Sequence, residues 1–529
     1  MDRRKFLKQT LPAAGMIPGV VDGFPIRAFA AENGFIQAAM LPYVETDKVL
    51  VIVQLSGGND GLNTVIPIDG YGNYLNARKN IAIPETGILR LDGVSKTGLH
   101  PSLKGFQQLY NEGRMNIIQA VGYPSPNFSH FRATDIWMSA SDSNTVINNG
   151  WMGRYLDDQY PGFPTNYPSA QMPDPLAIQV GSITSLTCQG PAVSMGMSIT
   201  DPTSFYNLVD NVEDPVPNNP MGRELSYLRQ IARQTNKYTE RIRQAALAVP
   251  TQGTYPANNS LAAQLKIVAR LIKGGLKTRV YMVSFGGFDT HATQVVGTNT
   301  ATGTHANLLN NVSSAVKAFM DDAKGLGIQD RVLGMTFSEF GRRIKSNASG
   351  GTDHGSAAPL FLFGKDVMGG LTGNNPTIAA NVTVGENVPY QYDFRSVYAS
   401  VLQQWFCVPD NTLQQIMLKN FQSLPLVNNS KCASVRPGSS FTNENVLVFN
   451  YPNPFTSSTK ITFKTKGGHT LVQIMNASGH MVRVLIEKEY PDAGTHTVSF
   501  DGGYLAPGVY YVRLQNGQIQ QVKGMLKVR

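Results

Sequence analysis

Cysteine is scarce in this chain, with only three among 529 residues. Cys188, Cys407 and Cys432 are widely spaced and form no CxxC, so neither a thiolate metal site nor a dense disulfide framework is supported. One bridge is possible and none is required. Long apolar runs are missing too: no stretch reaches the roughly 18 residues that a bilayer-spanning helix needs. Charged residues are only 15% of the chain. Beyond the N-terminus there is no Lys/Arg run and no interleaving of basic with aromatic residues, which leaves no nucleic-acid footprint despite a formal charge of +9. The basic balance points only generally to anionic partners.

Glycine and proline are plentiful, 51 and 31 residues, and hydrophobic residues make up 42%. That composition suits a loop-rich globular protein, long enough for two or three domains. Residues 1–30 begin with Arg3-Arg4, continue with a mildly apolar stretch broken by Pro12, Pro18 and Asp22, and end in Ala28-Phe29-Ala30. This is the pattern of a cleavable export signal of twin-arginine type. From residue 31 to 427, apolar runs of strand length recur at 48–58, 115–122, 176–181, 278–287, 331–341 and 359–364. Near-continuous apolar strands are what a parallel sheet covered on both faces requires. Segments 221–249 and 259–275 carry apolar residues at three- and four-residue spacing, as amphipathic helices do. The pattern predicts a doubly wound α/β domain with a mostly parallel sheet.

Residues 428–445 are polar and aperiodic, a linker by composition. From 446 to 529, seven short segments with alternating pattern are separated by Gly, Asn, Asp and Pro turns, which predicts a small β-sandwich. The landmarks "YPNPF" (451–455), "ASGHMV" (477–482), "AGTHTVSFDG" (493–502), "LAPGVYYVRL" (505–514) and the closing "KGMLKVR" resemble the C-terminal sorting domain of the type IX secretion system. The resemblance implies handling by that machinery, transit through the periplasm and the outer membrane, and a destination at the cell surface or in the medium.

In open α/β sheets, ligands bind beyond the carboxyl ends of the strands. Four strand ends are followed there by polar side chains: "SGGNDGLN" with Asp60; "NFSHFRATDIW" with Ser129, His130 and Arg132; "FDTHATQ" with Asp289 and His291; and "SEFGRR" with Glu339 and Arg342, continuing to "GGTDHG" with Asp353 and His354. Carboxylates and imidazoles gathered at one edge compete or repel unless a cation sits among them, and this mixed oxygen and nitrogen set suits zinc or a similar divalent ion. The expected metal ligands are Asp60, Asp289, His291, Glu339, Asp353 and His354, around one or two ions. Ser129 is the candidate nucleophile and Arg132 the candidate anion-holding group. Each has an ordinary reading: Asp60 as a turn residue, Ser129 as a helix cap, Glu339 and Arg342 as a structural ion pair. His100 and His305 lie where helices begin and read as structural.

The blocks at 55–84, 127–139, 285–294 and 337–364 resemble, in order, the domain-of-unknown-function family numbered 1501. That family is grouped with the alkaline phosphatase and sulfatase superfamily, whose members use two metal ions and a nucleophile at a helix N-terminus. The resemblance implies that Asp60 bridges metals, that Ser129 is the nucleophile, and that Asp289, His291 and His354 serve the first ion. Glu339-Phe340 stands where the superfamily has Asp-His, so the second ion's ligand set departs from the pattern. The expected function is an exported metal-dependent hydrolase of phosphate or sulfate esters. The competing expectation is a surface protein that binds an anionic glycan or protein on the same scaffold.

Overall fold

The run Val49–Ser56 (β1) is apolar at almost every position, so it needs cover on both faces, and the chain buries it at the centre of a sheet. The computed structural model describes residues 47–164, 167–202, 237–428, 432, 448–451, 455–476, 481–517 and 519–527, and the paired strands Gly19–Val21 and Phe24–Ile26. The rest of the export signal, nearly all of the linker and residues 221–236 of the first helical segment lie outside the described residues. Two compact units emerge: residues 46–439, and residues 440–529 together with 1–45.

In the larger unit the other strands of the central sheet are Met115–Gly122 (β2), Ala177–Val180 (β3), Gly196–Ile199 (β4), Val280–Gly286 (β5), Val332–Phe337 (β6), Ala358–Gly364 (β7), Gly370–Thr372 (β8) and Tyr392–Asp393 (β9). They form one nine-stranded sheet of order β8-β2-β7-β6-β1-β5-β3-β4, with β9 also on β2. Every strand but one runs the same way. The exception is β7, antiparallel to both β6 and β2, which corrects the sequence reading of 359–364 as one more parallel strand. Its direction follows from the connection: residues 338–357 stay at the carboxyl edge of the sheet, and the chain re-enters from that edge.

The helices that cover the sheet include Lys104–Asn111 (α1), His130–Ser139 (α2), Trp151–Gln159 (α3), Ser260–Lys273 (α4), Thr304–Gly325 (α5) and Phe394–Ser400 (α6). Successive side chains of a strand point to opposite faces. Val49, Val51, Val53 and Leu55 therefore pack with α1, α4 and α5, while Leu50 and Ile52 pack with α2, α3 and α6. Trp151 stacks on Tyr398 with ring centroids 4.0 Å apart, fixing α3 against α6. Cys407 and Cys432 form a disulfide, the one bridge that three cysteines allow, and Cys188 is buried with a free thiol.

In the smaller unit the seven segments read from the sequence merge, among the described residues, into five strands: Val448–Tyr451 (β10), Ser458–Asn476 (β11), Met481–Asp501 (β12), Gly508–Asn516 (β13) and Ile519–Lys527 (β14). Two pairs of predicted segments are halves of one strand because Gly467 and Gly468, at φ of 85° and 80°, carry the chain through a register shift without ending the ladder. One edge of β11 pairs with β12, while its other edge is shared by β10 and β13 at opposite ends. Phe463 and Val472, from the two halves, share one core with Phe500, Val512 and Leu514.

Gly334, in the middle of β6, leaves room for Phe363 of β7; a Cβ built there would lie 2.0 Å from the ring. Gly334→Ala is therefore expected to destabilise the larger unit by roughly 1–3 kcal/mol through overpacking. Adding Phe363→Leu should recover part of the loss. Thermal denaturation of the single and double variants checks this, and strictly additive losses would show that the two residues do not compete for that space.

Candidate metal centre

Strand register assembles the site. Ser56 pairs with Gly286, and Gln54 with Phe337, so β1 and β5 end together and β6 ends two residues short of them at the same edge. Val121, near the end of β2, faces Ala358 at the start of β7. Four loops thus leave or enter the sheet along a single edge. Their close approach depends on Gly57, at φ 123°, where a Cβ would lie 2.3 Å from the Asp289 backbone nitrogen.

Asp289 is the hub. Its Oδ1 lies 3.1 Å from His291 Nε2 and 3.3 Å from His354 Nε2, and its Oδ2 lies 3.4 Å from His130 Nε2. The two nitrogens His291 Nε2 and His354 Nε2 are 2.9 Å apart. His130, Asp289 and His354 each offer one ligand atom within 4.8 Å of the others. Asp289 is also bonded by Arg342 at 2.8 Å. Partial burial alone would raise the Asp289 carboxyl, but this guanidinium and the neighbouring imidazoles hold it below the ordinary carboxylate range.

The outer nitrogens of the three imidazoles are all engaged. His130 Nδ1 lies 2.8 Å from Glu339 Oε1, His354 Nδ1 lies 2.8 Å from the Phe128 carbonyl oxygen, and His291 Nδ1 lies 3.3 Å from Asp353 Oδ1. Carboxylate and carbonyl oxygens only accept, so Nδ1 donates in each ring. In a neutral imidazole that leaves Nε2 as a bare lone pair, and three such lone pairs face one another and a carboxylate. Burial pushes the His354 pKa down, which favours its neutral form. Nitrogens tied outward to acceptors and lone pairs turned inward are the habit of metal-ligating histidines. Ligand atoms around a tetrahedral zinc lie about 3.3 Å apart, close to the N···O separations of 3.1 to 3.4 Å found here. The donor set fits a divalent ion.

The other residues singled out from the sequence divide. His291 and Asp353 belong to the cluster, Asp353 as the partner of His291 and of Asn347 at 3.2 Å. Glu339 is buried and accepts from the Gly57 N–H at 2.8 Å as well as from His130, so it supports a histidine and does not itself face the cluster. Asp60 lies elsewhere, at 0% exposure, with both oxygens 2.7 Å from Arg78 Nη1 and Oδ2 also accepting from Gln294 at 2.7 Å. Burial would raise this carboxyl, but the Arg78 charge overrides it and holds the group ionised. Asp60 is thus an ion-pair partner in the core, in place of the bridging ligand expected of it, because Arg78 reaches it first.

Arg132 is turned to a structural task. Its Nη2 donates to the carbonyls of Asp142 and Thr145 at 3.1 and 2.7 Å, bracing the turn after α2 in place of the anion-holding role expected of it, while its buried Nη1 has no hydrogen-bond partner among the described residues. Ser129 is the exposed N-cap residue of α2, makes no cap bond with its side chain, and stands in sequence between Phe128, whose carbonyl holds His354, and His130. His305 is buried, 3.0 Å from Asn59 Oδ1, and its pKa is pushed down to about 4 by burial; His100 accepts from the Ser102 N–H. Both are structural.

In the sequence, His130 follows its strand end with no role assigned to it there, although the structure brings it to the cluster. It stands one residue after Ser129 in the same motif, and no local pattern distinguishes it from the hydroxyl and the guanidinium on either side.

Residues 110–413 match the family described as "Protein of unknown function (DUF1501)", and residues 450–527 match "Secretion system C-terminal sorting domain". Solved structures similar to the chain include a protein in the alkaline phosphatase superfamily from Vibrio parahaemolyticus, at 11% identity over 83% of this chain and 82% of that one with a TM-score of 0.31. Another is a sulfatase from Pseudoalteromonas sp., at 10% identity over 88% and 85% with a TM-score of 0.32. At that level no residue's role is carried across. No curated protein matches. Among the described residues no helix is long and apolar enough to cross a membrane. The sorting domain marks the chain for the type IX secretion system and for export to the cell surface or the medium. Since its family model spans more than half of the chain, the protein belongs to the DUF1501 family and carries a C-terminal sorting domain.

Proposed function

We propose that this is an exported hydrolase of phosphate or sulfate esters that works with one divalent ion, zinc or similar, held by His130, Asp289 and His354 with His291 beside them. The observation that carries the reading is the set of three imidazoles whose Nδ1 atoms are tied outward and whose Nε2 atoms turn toward Asp289. One ion is preferred to two because the oxygens of Asp60 are taken by Arg78 and Gln294, and Glu339 Oε1 by the Gly57 amide and His130. Export is proposed to begin with the twin-arginine-like signal in 1–30 and to pass through the periplasm.

A divalent ion at this place would supply Lewis acidity toward a phosphoryl or sulfuryl oxygen and a lowered pKa for water or a hydroxyl. The chain's own contribution starts with Ser129, an exposed residue at the N-terminus of the 10-residue helix α2. There the first-turn N–H groups and the helix dipole favour anionic oxygen, and a nucleophile gains from the same field. Asn127 Oδ1 accepts from the Ser129 N–H at 2.9 Å and sets the turn that presents the hydroxyl. Glu339, Asp353 and the Phe128 carbonyl hold the rings in one tautomer. A surface protein that binds an anionic glycan or protein through the same ion is the second reading, favoured by the two carboxylates already committed inside the protein.

Elemental analysis of the purified chain should find about one divalent ion, lost in His354→Ala and in His130→Ala; protein that carries none and takes up none would end the metal reading. Ser129→Ala should keep the ion and lower hydrolysis of chromogenic phosphate and sulfate esters by at least about two orders of magnitude. Unchanged turnover would reduce Ser129 to a helix start, and an ion-bound parent chain inert toward every ester would favour the binding reading. Asp60→Asn should keep the ion while destabilising the fold by about 3–5 kcal/mol, because a buried Arg78 is left without its charge partner; denaturant unfolding with metal analysis separates the two effects.

A further inference from the structure

We propose that Arg342 is the positioning residue of the ion site, a single buried guanidinium that sets the spacing of every loop bearing a ligand. This rests on the metal reading above. The Arg342 side chain has 0% exposure. Its Nε donates to the Gly58 carbonyl at 2.6 Å and its Nη1 to the Thr352 carbonyl at 2.9 Å. Nη2 donates to the Gly57 carbonyl, to the Phe288 carbonyl at 3.0 Å and to Asp289 Oδ1 at 2.8 Å.

Each of these partners leads to a ligand. Asp289 is one, and Phe288 precedes it. Thr352 stands two residues before His354, and Arg342 is itself opposite His354 in the short antiparallel ladder of 341–342 with 354–355. Gly57 donates its N–H to the Glu339 oxygen that holds His130 Nδ1. One planar fork therefore reaches the loops after β1, β5 and β6, and reaches the loop after β2 through Glu339. Slack is absent, since a Cβ on Gly58 would lie 2.3 Å from the Phe340 ring and 3.3 Å from Arg342 Nε. A guanidinium can span such divergent carbonyls because its donors lie in a fixed plane, whereas a lysine offers a point charge on a flexible stem. Arg342 touches no bare Nε2, so it acts through the atoms it fixes.

The test is the zinc affinity of the purified full chain, read by competition with a chelating dye, together with the visible absorption of the cobalt-loaded form. Arg342→Gln should weaken zinc about 10–100-fold and alter the cobalt spectrum, the range found when groups supporting metal ligands are removed. Arg342→Lys should fall between it and the parent. Arg395→Gln, at another buried arginine that pairs with Asp142 and Asp393, should lower the melting temperature and leave both metal readouts alone. Arg342→Gln, or Arg342→Lys if the first does not fold, binding zinc as tightly as the parent with the parent's cobalt spectrum would overturn the proposal. Loss of zinc binding by the parent chain itself would instead remove the metal reading and this assignment together.

Discussion

Because β1 is paired in parallel on both sides, to β5 and to β6, the three chains must all turn at the same edge, and whatever polar residues follow them are forced into one volume. A shift of register by a single residue would exchange the two faces of β1, carrying Val51 and Val53 off the α4 and α5 side. The apolar pattern of the central strand therefore fixes the height at which Asp289 and Glu339 stand. Chemistry at the edge is a consequence of packing in the middle.

That dependence explains what could be read in the sequence. Strand positions were legible because near-continuous apolar runs have few other uses, and the polar clusters after 56, 122, 286 and 337 followed from strand ends. Arg78 was not legible as the partner of Asp60, since nothing local says that an arginine 18 residues away folds back onto it. The direction of β7 was hidden for a similar reason: an apolar run shows burial but carries no sign of orientation. In the tail, Gly467 and Gly468 looked like chain breaks, although glycines at positive φ can also keep a bent ladder continuous.

Two of the buried arginines brace the loops at the carboxyl edge of the sheet. Arg78 neutralises Asp60 and donates to the carbonyls of Ile344 and Arg343, tying the loop after β6 to the turn after β1 from below. Arg342 ties the same two segments at the level of the cluster. Buried pairs of this kind add little net stability over apolar residues of equal volume, and their best-attested use is to specify one arrangement. Here the arrangement specified is a set of loops that would otherwise be free to spread.

The Cys407–Cys432 bond has a bearing on what survives outside the cell. Cys432 is covalently fastened back to the region after α6, and Val427 is bridged to Val367 just before it. A protease that cut the chain just beyond Cys432 would leave Val427 and Cys432 still fastened to the α/β unit. The end created by such trimming would be pinned from the start, giving peeling from that terminus no place to begin.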